Sequence, residues 1–230
     1  AIIFSDILMV PYGLNQNVEF KKNFGPILGK IDINKTLKVD EIDFVQKLLP
    51  VYKAIKKVKS NNLTNQKNVI GFVGAPWTLL VYIINQQSPK KKIKKNFFED
   101  KFLINRILLI LEKFLKVHIK NQIDSGANII QIFDSWAGLL EKKEIPNYIY
   151  SPTLNLVNYV KSLKIPVICF PREIKNYEEY CDVVKPDAIS IDYNVNPIDI
   201  CKKIKIPVQG GLDPKILLTD TETLKKEAIK

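Results

Sequence analysis

Six short, almost uniformly apolar runs, at 1–4, 69–72, 128–133, 167–170, 188–191 and 207–209, each end in a polar or turn residue and lead into a longer stretch. A strand with one face in water alternates apolar and polar side chains. These runs do not, so both faces are covered, as in a parallel sheet joined by crossover helices. The spacing predicts helices over 43–59, 77–85, 101–125, 151–163, 177–184, 197–204 and from 222 onward. In the longest, Leu103, Ile107, Leu111, Leu115 and Ile119 recur every fourth residue, and Gly126 supplies a stop. Repeated βα units with no change of composition predict an α/β fold, a (β/α)8 TIM-type barrel, as one catalytic domain over 1–230. About six of the eight units that such a barrel needs are visible, so the barrel is expected to be truncated at both ends. A small rim hairpin is expected at 18–20, turning at the FGP that follows. A doubly wound open sheet is disfavoured because no GxGxxG follows the first run.

No run of about 18 apolar residues occurs, so no membrane span is expected. Cys169, Cys181 and Cys201 fit neither an even disulfide set nor a CxxC metal pair, which favours a reducing compartment. The net charge of +11 suits an anionic partner, yet Arg106 and Arg172 are the only arginines, and readers of phosphate favour the arginine fork. The excess of Lys, Asn and Ile is what an AT-rich genome produces, and no nucleic-acid partner is expected.

In a barrel of this kind the chemistry sits where strands end. The polar residues there are Asp6, Thr78 with Tyr82 one helical turn on, Asp134 and Ser135, Arg172, Asp192 and Asp213. Each alone reads equally well as a helix cap or a strand-end hydrogen bond; their shared placement points to a site. His118 falls inside the longest helix and reads as a structural histidine. With one His and no clustered Cys, no metal site is expected.

The segments FSDIL, VEF with FGP, GFVGAPWTLLVY, QIFDSWAGLL, ISIDYN and VQGGLDP, in that order, resemble the uroporphyrinogen decarboxylase family. The resemblance implies cofactor-free removal of carbon dioxide from the four acetate side chains of uroporphyrinogen III, giving coproporphyrinogen III in haem biosynthesis. It implies that Asp6 accepts hydrogen bonds from the pyrrole N–H groups and stabilises the protonated ring. Tyr82 is implied as a further catalytic and substrate-binding residue, Ser135 as an acetate ligand, and Ile2, Phe72 and Phe133 as pocket lining. Arg172 is a candidate carboxylate clamp. The Lys-rich run at 88–95 is read as a solvated loop placed to steer a substrate with eight carboxylates.

Two local departures are Gly211, where the family has Asn, and Trp136, at a variable position. The family segments RQAGRYLPEY and NLGHG are absent, so the chain is expected to be the central portion of a longer enzyme. The full-length protein is expected to be a homodimer, in the cytoplasm or a plastid-type organelle. The alternatives are a corrinoid- or thiol-dependent methyltransferase on the same barrel and, behind it, a basic nucleic-acid-binding module.

Overall fold

The computed structural model describes residues 2–3, 5–22, 24–89, 93 and 98–229. The chain opens with α1 (Met9–Gly13), a hairpin of β1 (Val18–Lys21) and β2 (Gly25–Leu28), then α2 (Ile33–Thr36) and α3 (Glu41–Lys59). The βα series follows: β3 (Ile70–Gly74), α4 (Pro76–Asn85), α5 (Lys101–Asp124), β4 (Ile129–Asp134), α6 (Ser151–Ser162) and β5 (Val167–Pro171). It continues with α7 (Tyr177–Val184), β6 (Ala188–Ile191), α8 (Pro197–Lys203), β7 (Val208–Gly210) and α9 (Thr221–Ile229).

Strands β3 to β7 form one parallel sheet in sequential order, and a parallel bridge between Ile2 and Ile70 sets the N-terminal segment beside β3. A doubly wound sheet reverses its strand order; this one runs on without reversal, as a barrel wall does. The five strands and the bridged segment fill six consecutive positions of a wall that closes with about eight. Positions 1 and 4 of the first apolar run lie outside the described residues, as do 90–92, 94 and 95 of the Lys-rich run.

The helices begin where short polar side chains meet their first free N–H groups. Asp40 caps α3 through Asp43 N at 2.7 Å, and Asp100 caps α5 through Leu103 N at 2.8 Å. Helix α5 stops at Gly126, whose φ of 116° is left-handed territory that a glycine enters without strain. Its buried face is wider than the every-fourth-residue row, taking in Ile104, Ile110, Phe114, His118 and Gln122, while Leu103 lies only partly buried at its margin. An α-helix turns 3.6 residues, so a strict row of four drifts off the core. No helix of the described residues is long and apolar enough to cross a membrane.

One local expectation is corrected. Gly25 and Pro26 belong to the second hairpin strand, with Pro26 opposite Phe20, so FGP is not the turn. The sequence also gives no hint of α1, or of the π turn Pro146–Tyr150 that runs straight into α6.

Strand alternation separates an inner from an outer face. Gly71 and Val73 look outward, and a methyl group on Gly71 would lie 2.8 Å from Gln122 Oε1. That absence of a side chain lets Gln122 reach the strand itself. Its amide accepts from Phe72 N and donates to Phe72 O, both at 3.0 Å, doing for β3 what a neighbouring strand does. The inner face carries Phe72, Phe133 and Phe170 in an edge-to-face row, with ring centroids 5.6 and 6.1 Å apart. Two residues before Phe133 on the same face, Gln131 shares the Ser190 hydroxyl with Gln209, at 3.2 and 2.7 Å.

Candidate active site

The segment after Ile2 turns sharply at Asp6, whose φ of 79° is unusual for a residue with a side chain. Its Oδ1 accepts from Leu8 N at 2.8 Å, an Asx turn that leads into α1. Among the described residues no other donor reaches this carboxylate. Burial raises the Asp6 pKa, and the Leu8 N–H pulls it partly back.

Tyr82 projects from α4 and is 8% exposed, its ring edge-on to Trp136 at 6.0 Å. Burial raises its hydroxyl pKa, the Asp6 charge raises it further, and Arg172 lowers it. An acceptor, a donor and a cation therefore share one electrostatic neighbourhood. Arg172 follows β5 and is held by its backbone: its N–H donates to Asp134 O at 3.1 Å, and its C=O accepts from Gly138 N at 3.0 Å. Its guanidinium lies 3.1 Å from Glu173 and 3.9 Å from Asp192, half exposed toward the mouth. A methyl group on Gly138 would sit 2.5 Å from Glu173 Cβ and 2.7 Å from its carbonyl, so only glycine lets these two loops approach this closely.

A model of the family described as uroporphyrinogen decarboxylase (URO-D) matches residues 1–230. The chain belongs to this family. The uroporphyrinogen decarboxylase of Rickettsia akari is 38% identical over 237 residues, covering 100% of this chain and 70% of that protein. That of Rickettsia felis is also 38% identical, covering 100% of this chain and 68% of its own length. Among solved structures, a methyltransferase from Methanosarcina mazei superposes with a TM-score of 0.65 over 100% of this chain and 78% of its own, at 14% identity. A likeness that remote speaks for the shared fold alone.

For a uroporphyrinogen decarboxylase, several strand-end residues lie elsewhere than the sequence suggests. Asp134 is still on the pleat of β4, so alternation turns it outward, where it is fully buried. Thr78 Oγ1 donates to its Oδ1 at 2.6 Å, Oδ2 has no partner, and burial pushes the carboxyl pKa up to about 7. Thr78 is buried with it and accepts from Trp136 N at 3.1 Å, so its hydroxyl is used inside the fold and does not face the cleft. Asp192 accepts from Glu173 N at 2.6 Å and from the Tyr177 hydroxyl at 2.7 Å, anchoring the loop that carries Arg172. Asp213 caps the 3-10 turn Pro214–Leu218 through Lys215 N at 2.9 Å.

Ser135, one position past β4, is half-buried, and Ile2 is 45% exposed beside Ile70. His118 Nδ1 meets the Tyr52 hydroxyl at 2.9 Å, and burial drops its pKa to about 3. A cavity of about 560 Å³ lies between the loop after β4 and the start of α7, lined by Leu139, Pro146, Tyr150, Glu173 and Asn176. Neither Asp6 nor Tyr82 lines it.

Proposed function

We propose that this chain carries the reaction centre of a uroporphyrinogen decarboxylase acting on a tetrapyrrole with acetate side chains. The observation that carries the reading is the convergence of Asp6, Tyr82 and Arg172 at one end of the sheet, beside the Phe72, Phe133 and Phe170 row. A porphyrinogen has N–H donors at its centre, an apolar ring and carboxylates at its rim. Asp6, acceptor-only when ionised, matches the centre; the aromatic row and Ile2 match the ring; Tyr82, Ser135 and Arg172 match the rim.

In each cycle a pyrrole carbon is protonated, and the electrons of the breaking C–C bond flow into that cation as carbon dioxide leaves. The methylene left behind takes a proton and the ring carbon loses one, a net uptake of one proton for each acetate converted to methyl. The protein's part is to hold the ring and to stabilise its positive charge, and the Asp6 carboxylate supplies the opposite charge. The same reading places a homodimer in the cytoplasm, a compartment suggested by the bacterial relatives; sedimentation of the full-length enzyme checks the dimer.

The experiment is Asp6→Asn in the full-length enzyme, with uroporphyrinogen turnover and thermal midpoint measured together. The amide keeps an acceptor oxygen but not the charge, so most of the turnover is lost at an unchanged midpoint. A near-normal rate removes Asp6 from the mechanism.

A further inference from the structure

Trp136 holds a donor that lies close enough to Tyr82 to influence it but completes no hydrogen bond in the resting site. Its backbone is clamped to α4 at both polar groups: the N–H donates to Thr78 Oγ1 at 3.1 Å and the C=O accepts from Trp77 Nε1 at 2.8 Å. The same helix presents Tyr82, so the two rings are fixed relative to one another, edge-on at 62°. The Trp136 indole N–H is buried and closes no hydrogen bond. A buried polar group left unpaired is costly, and a fold that retains one calls for a reason.

We propose that Trp136 is the positioning residue for Tyr82: as substrate enters, its indole N–H closes onto the Tyr82 oxygen and directs the phenol proton at a substrate carboxylate. This rests on the reading of Tyr82 as a substrate donor. An indole N–H only donates, whereas a phenol both donates and accepts. Once the phenol oxygen accepts from Trp136, its own proton has to go elsewhere, and with substrate bound it turns from the neighbouring Ser88 side chain to a substrate carboxylate. The influence is already present, because burial raises the Tyr82 pKa while Trp136 and Ser88 lower it. A contact that tightens only with substrate in place favours the reacting complex over the free enzyme.

The test is a double-mutant cycle in the full-length enzyme, reading uroporphyrinogen turnover and thermal midpoint for Trp136→Phe, Tyr82→Phe and the pair. Trp136→Phe keeps a ring but deletes the donor. It lowers kcat/KM about fivefold, the size of one ordinary hydrogen bond, and has no further effect in the Tyr82→Phe background. Benzothienylalanine at position 136, with sulfur in place of N–H in the same outline, gives the same result without a change of volume. Equal losses in both backgrounds, or no loss in either, overturn the proposal. If Tyr82→Phe is slow while both Trp136 replacements run normally, this inference alone fails. If Tyr82→Phe runs at the full rate, the reading of Tyr82 fails and takes the inference with it.

Discussion

Replacing Asp134 by Asn should flatten the pH dependence of stability. The Asp134 carboxyl is fully buried, holds one hydrogen bond from Thr78 and leaves Oδ2 unpaired, and burial pushes its pKa to about 7 from 3.8. A folded-state pKa above the unfolded value means that the native protein keeps a proton the unfolded chain releases. The stabilisation is fully present below pH ~4, declines as pH rises, and is gone above ~7. At ~1.4 kcal/mol per unit, the whole span amounts to ~4 kcal/mol, of which about 3 kcal/mol falls between pH 5 and 8.5. His118 acts in the opposite sense, since burial drops its pKa to about 3 and its contribution is lost as pH falls below ~6.5. Comparing Asp134→Asn with the parent at each pH cancels His118, which both share. Urea denaturation at pH 5, 6, 7 and 8.5 should show the variant gaining about 3 kcal/mol on the parent across that range. Parallel profiles would mean that the carboxyl titrates alike in both states, and the desolvation argument would be wrong.

Two further substitutions probe how the mouth is built. Gly138→Ala puts a methyl group 2.5 Å from Glu173 Cβ; the Arg172 loop must shift, costing about 1–3 kcal/mol and raising KM for uroporphyrinogen, as melting and steady-state kinetics would show. Gln122→Leu leaves the buried N–H and C=O of Phe72 without the amide that both use; thermal melting should register a loss of roughly 2–4 kcal/mol, and an unchanged midpoint would assign those groups to other partners.

The elements are legible because burial on both faces leaves an unmistakable apolar run; the caps Asp40 and Asp100 stand just ahead of their helices but form no part of that pattern. Around the site, the strand-end set includes Asp6 and Arg172, which share an electrostatic neighbourhood with Tyr82, but it also takes in Asp134, which faces the other way. The apolar run stops at Phe133, but the strand continues one residue further, and that extra step turns the next side chain away from the cleft. Thr78 shares a helical face with Tyr82 yet spends its hydroxyl on Asp134, a partner 56 positions away that helical spacing alone does not disclose. Gln122 and Trp136 were passed over for the same reason: their roles lie in backbone groups of distant segments, for which composition and periodicity carry no signal.

The stitch between α4 and the loop after β4 also has a history in time. Its three hydrogen bonds join residues 56, 58 and 59 positions apart, so none can form until α5 and β4 exist to close the loop between them. On a ribosome adding about 5–20 residues per second, Trp77 therefore waits roughly 3–12 s for Trp136 to be synthesised. Through that interval Trp77, fully buried in the finished fold, lacks the segment around Trp136 that completes its cover.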